Sequence, residues 1–187
     1  MKTISILFLF LFVFVFNTNG VLAQEVIVST ESAMATQSSS PKIEYNFVYP
    51  GILPDNPLYF LKTMRDRVVS ILISDKLKRA EFDLLASDKR LVASSQLVKR
   101  NKDALAITTL SKSNNYMDQV VVSLAAAKKA GQNIDTVFNN TKNSIIKHRE
   151  EAMKMEKSID KEFAPAFDSE LERLDVISKA ASKLSPR

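Results

Sequence analysis

The chain has 187 residues, a net charge of +5, no cysteine, no tryptophan and only three glycines. Its length suits one modest domain with its own core, the missing cysteines exclude disulfide staples, and scarce glycine favours long helices over a turn-rich β fold. The charge excess is mild and is no argument for a nucleic-acid partner.

The first residues read as an export signal. Lys2 gives a positive start, and residues 4–16 form an apolar run of 13 residues with five Phe. Asn17-Thr18-Asn19-Gly20 breaks the run, and Val21-Leu22-Ala23 offers a small-residue exit before Gln24. That is the pattern of a signal peptide over residues 1–23, which implies a secreted or extracytoplasmic protein. The alternative is an uncleaved N-terminal membrane anchor, which needs roughly 20 apolar residues. Residues 24–41 are expected to be a flexible tether, since seven of the twelve residues 29–40 are Ser or Thr.

A helical domain is expected over 42–187, opened by an extended aromatic arm over 42–55. There Ile43, Tyr45, Phe47 and Tyr49 alternate with other residues at period two, the spacing of a segment with one apolar side. Asp55 or Asn56 can cap a helix whose first turn holds Pro57. Five helices follow by periodicity, at about 57–73, 75–101, 103–130, 135–163 and 165–184. The first carries an apolar stripe of Leu58, Leu61, Met64, Val68, Ile71 and Leu72, with Lys62, Arg65, Asp66 and Arg67 on its wet side, and the Asp55-Asn56-Pro57 corner is expected to hold it and the arm against the bundle. The second has a seam of Leu77, Leu84, Leu91 and Val98 with a small or polar companion row of Ala80, Ser87, Ser94 and Asn101, which permits close helix approach. In the third, Ser111-Lys112-Ser113-Asn114-Asn115 has poor helix propensity and points to a kink or break. In the fourth, Phe138, Ile145, Ala152 and Ile159 recur every seven residues beside Thr141, His148 and Met155. Ala164-Pro165 is expected to break the chain before the fifth helix, with Phe167, Leu171, Leu174, Ile177, Ala181 and Leu184 on its apolar side. The fold class is therefore all-α, as an antiparallel bundle or an elongated stack of helical hairpins.

Leu53-Pro54-Asp55-Asn56-Pro57-Leu58-Tyr59-Phe60-Leu61-Lys62, and then Ala80 through Arg90-Leu91, resemble a bacterial family of exported or membrane-tethered helical proteins, domain of unknown function 5667. The resemblance covers about 49–129. Relatives tend to carry an acidic residue shortly after Arg-Leu, where this chain has Val92-Ala93-Ser94. The resemblance implies a bacterial, extracytoplasmic, all-helical module and carries over no catalytic or ligand residue.

Motifs for chemistry are sparse. His148 is the only His, too few for a zinc site or for the paired Glu-x-x-His motifs of a di-iron bundle. No glycine-flanked turn presents a serine nucleophile, and three glycines make no phosphate cradle. Glu150-Glu151 reads as part of a solvated face, with Lys154 one turn on. No catalytic, cofactor or metal residue is expected, and the chain reads as a non-enzyme without cofactor.

Charge is unevenly placed. Residues 76–102 hold eight basic against three acidic residues, and residues 149–175 hold nine acidic against five basic. The two stretches can attract each other within the fold, or the basic one can face an anionic envelope surface. Lys76, Lys78, Arg79, Lys89 and Arg90, with Tyr45 and Phe47 of the arm, make the candidate interaction face. The expectation is a non-catalytic interaction or scaffold module of the cell envelope, partnered by an unknown envelope protein or an anionic surface and not by nucleic acid. A stress-sensing or chaperone-like role and a metal-assisted envelope hydrolase are the alternatives.

Overall fold

The computed structural model describes residues 44–185. The segments expected to be a signal peptide and a tether, and residues 42 and 43 of the expected arm, lie outside the described residues. Five helices follow in order, α1 (Tyr59–Leu72), α2 (Lys76–Val98), α3 (Asp103–Lys129), α4 (Asp135–Glu156) and α5 (Ala164–Ser182). The all-α expectation holds. No helix among the described residues is long and apolar enough to cross a membrane.

α2 and α3 form the tightest pair. The Ser94 hydroxyl donates to the Ala106 carbonyl at 2.7 Å, and Ser87 and Ser113 each donate to the other's backbone carbonyl at 2.9 and 2.8 Å. Side chains this short reach a facing backbone only when two helices nearly touch, as the small row Ala80, Ser87 and Ser94 allows; all three are fully buried. Asn101, at φ 56°, turns the chain between them, a conformation Asn tolerates better than most residues. Ser113 and Asn114 bond neighbouring helices, so α3 runs unbroken through the stretch expected to interrupt it. Tertiary bonds outweigh weak local propensity there.

α4 and α5 form a second hairpin, laid on the first by near-translation. Asp88 meets Ser144, Ser95 meets Glu151 and Asn114 meets Glu170, each pair 56 residues apart. α4 therefore runs parallel to α2, and α5 parallel to α3. α2, α3, α5 and α4 are neighbours in a closed ring, so the two stacked hairpins together make a four-helix bundle. α4 ends at Glu156, short of the expected 163, and Ile159 falls in the turn beyond it. Ala164-Pro165 opens α5 instead of marking only a break, because proline fits the first helical turn.

The core has two apolar clusters. One gathers Leu84, Met117, Phe138, Ile145 and Leu174, and the other Leu91, Leu110, Ala152, Met155 and Phe167. Near the junction of the two clusters, α2 to α5 contribute a polar layer, with Ser87 and Asp88 on α2, Ser113 and Asn114 on α3, Ser144 and His148 on α4, and Glu170 on α5. Fully burying one Leu such as Leu91 contributes about 1.5–3 kcal/mol, so the clusters supply the cohesion and the polar layer sets the register.

The arm and α1 flank the α2–α3 hairpin. Tyr45 and Phe47 are half-buried while Glu44, Asn46 and Val48 are exposed, so the expected period-two face is present at these two residues. It stops at Tyr49, which is 74% exposed. The corner that follows works differently from the expected cap. Asn56 Oδ1 accepts from the Leu58 N–H at 2.9 Å, α1 starts only at Tyr59, and Asp55 ion-pairs with Arg100 and Lys102 at the α2–α3 turn, each at 2.9 Å. From this corner α1 runs back antiparallel to α2, with the Arg90 guanidinium on the Tyr59 hydroxyl and Arg79 on the Ser70 carbonyl.

α1 reverses the expected packing. Tyr59, Lys62, Thr63, Asp66 and Ser70 are its half-buried residues, all on one side of the helix. Phe60, Leu61, Met64, Val68, Ile71 and Leu72, spread over about 120° of the opposite side at 100° per residue, are 48–75% exposed. No residue of α1 is buried. The stripe read as a core face points to solvent, because Arg79 and Arg90 of α2 hold α1 by its polar side.

Candidate functional site

The buried polar layer centres on Asp88. Oδ1 accepts from the Ser144 hydroxyl at 2.6 Å and stands 2.8 Å from His148 Nε2, while Oδ2 accepts from the Tyr45 hydroxyl. His148 is fully buried, and the Phe47 ring meets it edge-on at 5.6 Å. Burial first, then the charge of Asp88 and the bond to it, holds the Tyr45 phenol well above its ordinary value. Ser, His and Asp here look like a hydrolytic triad by composition only. In a triad the histidine takes the serine proton and the carboxylate sits behind the histidine. Here both Ser144 and His148 turn to the same carboxylate, so the serine proton already has an acceptor that is not the imidazole. The arrangement ties the arm to α2 and α4 through one ion. Among the described residues no three His, Cys, Asp or Glu side chains are grouped to hold a metal.

The sequence-derived interaction face does not gather. Lys76 and Lys78 are exposed on α2, and Lys89 is half-buried. Arg79 turns inward to Asp83 and Ser70, and Arg90 is 9% exposed. Tyr45 and Phe47 sit at the α2–α4 groove, on the side of α2 opposite α1, and their rings are engaged with Asp88 and His148. The expected attraction between the basic and acidic stretches is seen at Glu151, where, against the cost of burial, the Ser95 bond and the charges of Lys154 and Lys99 hold the carboxyl below its ordinary value. Among the described residues no ion pair links an α2 cation to the acidic stretch; Arg79 pairs within α2, and Arg149 and Arg173 bond Asp175 and Asp118.

A different cluster forms under α1. A cavity of about 510 Å³ opens between α1, α2 and α3, lined by Thr63, Met64, Arg67, Arg90, Lys112 and Tyr116 among others. Three cations converge on it and no carboxylate lines it. Arg90 lies between two phenol rings, 5.6 Å from the Tyr59 centroid and 5.3 Å from that of Tyr116. Its Nε is buried without a hydrogen-bond partner. Among the described residues none of Arg67, Arg90 and Lys112 has an ion-pair partner, although eight other cationic side chains do. Sequence reading found Arg90 but missed Arg67, Lys112 and Tyr116. They come from three helices, and nothing in their local sequence marks them as neighbours.

A family model described as Domain of unknown function (DUF5667) matches residues 51–179. The match extends well past the 129 at which the resemblance in sequence was placed, because the second hairpin belongs to the same unit as the first. No curated protein and no solved structure matches the chain.

Proposed function

Because the chain belongs to the family of domain of unknown function 5667, whose model matches residues 51–179, its activity must be read from its own surface, and we propose a non-catalytic interaction module of the bacterial cell envelope. The observation that carries this reading is the inverted α1. Six large apolar side chains are held out to solvent by a helix whose polar side is bonded to the hairpin beneath. At about 100 Å² apiece they amount to roughly 600 Å², the upper end of the largest apolar patch on a typical monomer, and such patches mark interaction sites. Exporting the chain through its signal would place this surface in the envelope.

The chaperone-like alternative through Tyr45 and Phe47 is less well supported, since those rings are engaged in the arm's own attachment. A hydrolase reading would have to use His148, which is fully buried and bonded to Asp88. The experiment is cell fractionation of the full chain and of a Met64→Glu/Val68→Glu variant. Retention of the wild type with the envelope and release of the folded variant is the expected result. Equal retention of both overturns the role given to α1.

A further inference from the structure

We infer that the occupant of α1 is the surface of a bilayer containing anionic phospholipid, with the cavity of Arg67, Arg90 and Lys112 seating a lipid phosphate. This inference rests on the proposed role of α1 and names its partner.

The apolar arc and the cavity are one continuous surface. Met64 belongs to both, and Arg67 lies at the edge of the arc that borders the cavity. Arg65 lies at the other edge, its side chain 69% exposed. An apolar stripe with arginines along both margins is the pattern of a helix lying in the plane of a membrane interface, its apolar face among acyl chains and its cations at head-group level. The one acid of α1, Asp66, is half-buried and paired with Arg65, so Arg67 is the uncompensated cation on the margins of the arc.

The cavity supplies what a phosphate needs. Arg90 is buried, held between the rings of Tyr59 and Tyr116, and has hydrogen-bonding capacity that no described residue uses. A guanidinium placed this way is costly unless an anion answers it. Arg67 and Lys112 extend two more cations to the same space. A phosphodiester offers matching unesterified oxygens for a forked guanidinium and a point-charge ammonium. Its acyl chains would leave the cavity across Met64, along the apolar arc.

A second copy of this chain is a poorer occupant. Arg65 and Arg67 lie near the midpoint of α1, and two-fold pairing through this face would set each against its own copy. Lipid head groups present the opposite charge along the same line.

The test is co-sedimentation of the full chain with phosphatidylcholine vesicles, with and without phosphatidylglycerol. The upstream apolar run is present in every arm, so the reading is the difference between lipids and between variants. Binding is expected to strengthen with phosphatidylglycerol and to weaken roughly 10- to 30-fold in Arg67→Gln/Lys112→Gln, two exposed positions whose change leaves the fold intact. Lys76→Gln/Lys78→Gln, which removes the same charge elsewhere, is expected to weaken it by less than about threefold. Equal losses in the two double variants would overturn the cavity as the phosphate seat. Absence of any phosphatidylglycerol dependence would overturn the lipid assignment, as would saturable binding of glycerol phosphate in solution without vesicle binding, or a dimer abolished by Val68→Glu. If vesicles are not bound but the envelope association of the preceding section persists and still needs Met64 and Val68, the lipid inference falls and the interaction role of α1 stands.

Discussion

Asp88 and His148 stand 60 residues apart in the chain and 2.8 Å apart in the fold. One carboxylate collects the imidazole, the Ser144 hydroxyl and the Tyr45 hydroxyl, so α2, α4 and the arm share a single polar joint. Asp88→Ala leaves a buried imidazole and a buried hydroxyl without their acceptor. The expected loss is about 3 kcal/mol or more, read from the denaturant midpoint. Tyr45→Phe removes one peripheral bond and is expected to cost about 1 kcal/mol. A small effect at Asp88 would show that the joint adds little to the stack.

The Ser87–Ser113 contact sets the distance between α2 and α3. Ser87→Ala keeps the volume and loses a reciprocal bond, for an expected cost of about 1 kcal/mol. Ser87→Leu forces the helices apart and is expected to cost at least about 3 kcal/mol, since overpacking a tight interface strains the backbone. Thermal unfolding of the two variants separates the alternatives. Similar melting points would mean that the pair is less close than the hydroxyl-to-carbonyl bonds imply.

The corner at Asp55 responds to acid. Its bonds to Lys102 and Arg100 hold the carboxyl below the ordinary 3.8. A carboxylate with a depressed folded value contributes fully above the unfolded pKa and loses its contribution as pH falls through the folded one. The arm is therefore expected to stay fastened at neutral pH and to loosen only below about 3.8. Limited proteolysis within residues 44–58 follows this directly. Asp55→Asn should show the loosened pattern already at pH 7; an unchanged pattern would mean that Tyr45 and Phe47 alone hold the arm.

Charge placed on the outward side of α1 should be nearly free of cost. Val68→Glu is expected to change stability by less than about 0.5 kcal/mol, as for other exposed positions. The same change at Val120, which is fully buried, is expected to prevent folding, because an isolated charge in the core is left unpaired. Circular dichroism melts of both variants make the comparison.

Periodicity was sufficient for the helices that pack on one another. The interval of seven from Leu77 to Val98 and the small row beside it specify a close pair, and α2 and α3 form it. Periodicity was insufficient for α1, because a stripe identifies one side of a helix without identifying which side faces inward. That choice was made by Arg79 and Arg90, whose partners Ser70 and Tyr59 lie on the polar side. Ser113 and Asn114 look like helix breakers by local propensity, and only the bonds to Ser87 and Glu170 explain them. Asp88 carried no local signal, since its three partners come from the arm and from α4. The cavity under α1 was hidden for the same reason.

The outward orientation of α1 is tested most directly by cysteine accessibility, for which a chain without native cysteine is well suited. Val68→Cys, Ser70→Cys and the exposed reference Val122→Cys would be labelled with a polar maleimide under native conditions. Val68→Cys is expected to react as fast as Val122→Cys, and Ser70→Cys several-fold more slowly. The reverse order, with position 68 protected and position 70 open, would place the apolar stripe against the hairpin and contradict the reading of α1 on which the proposed function rests.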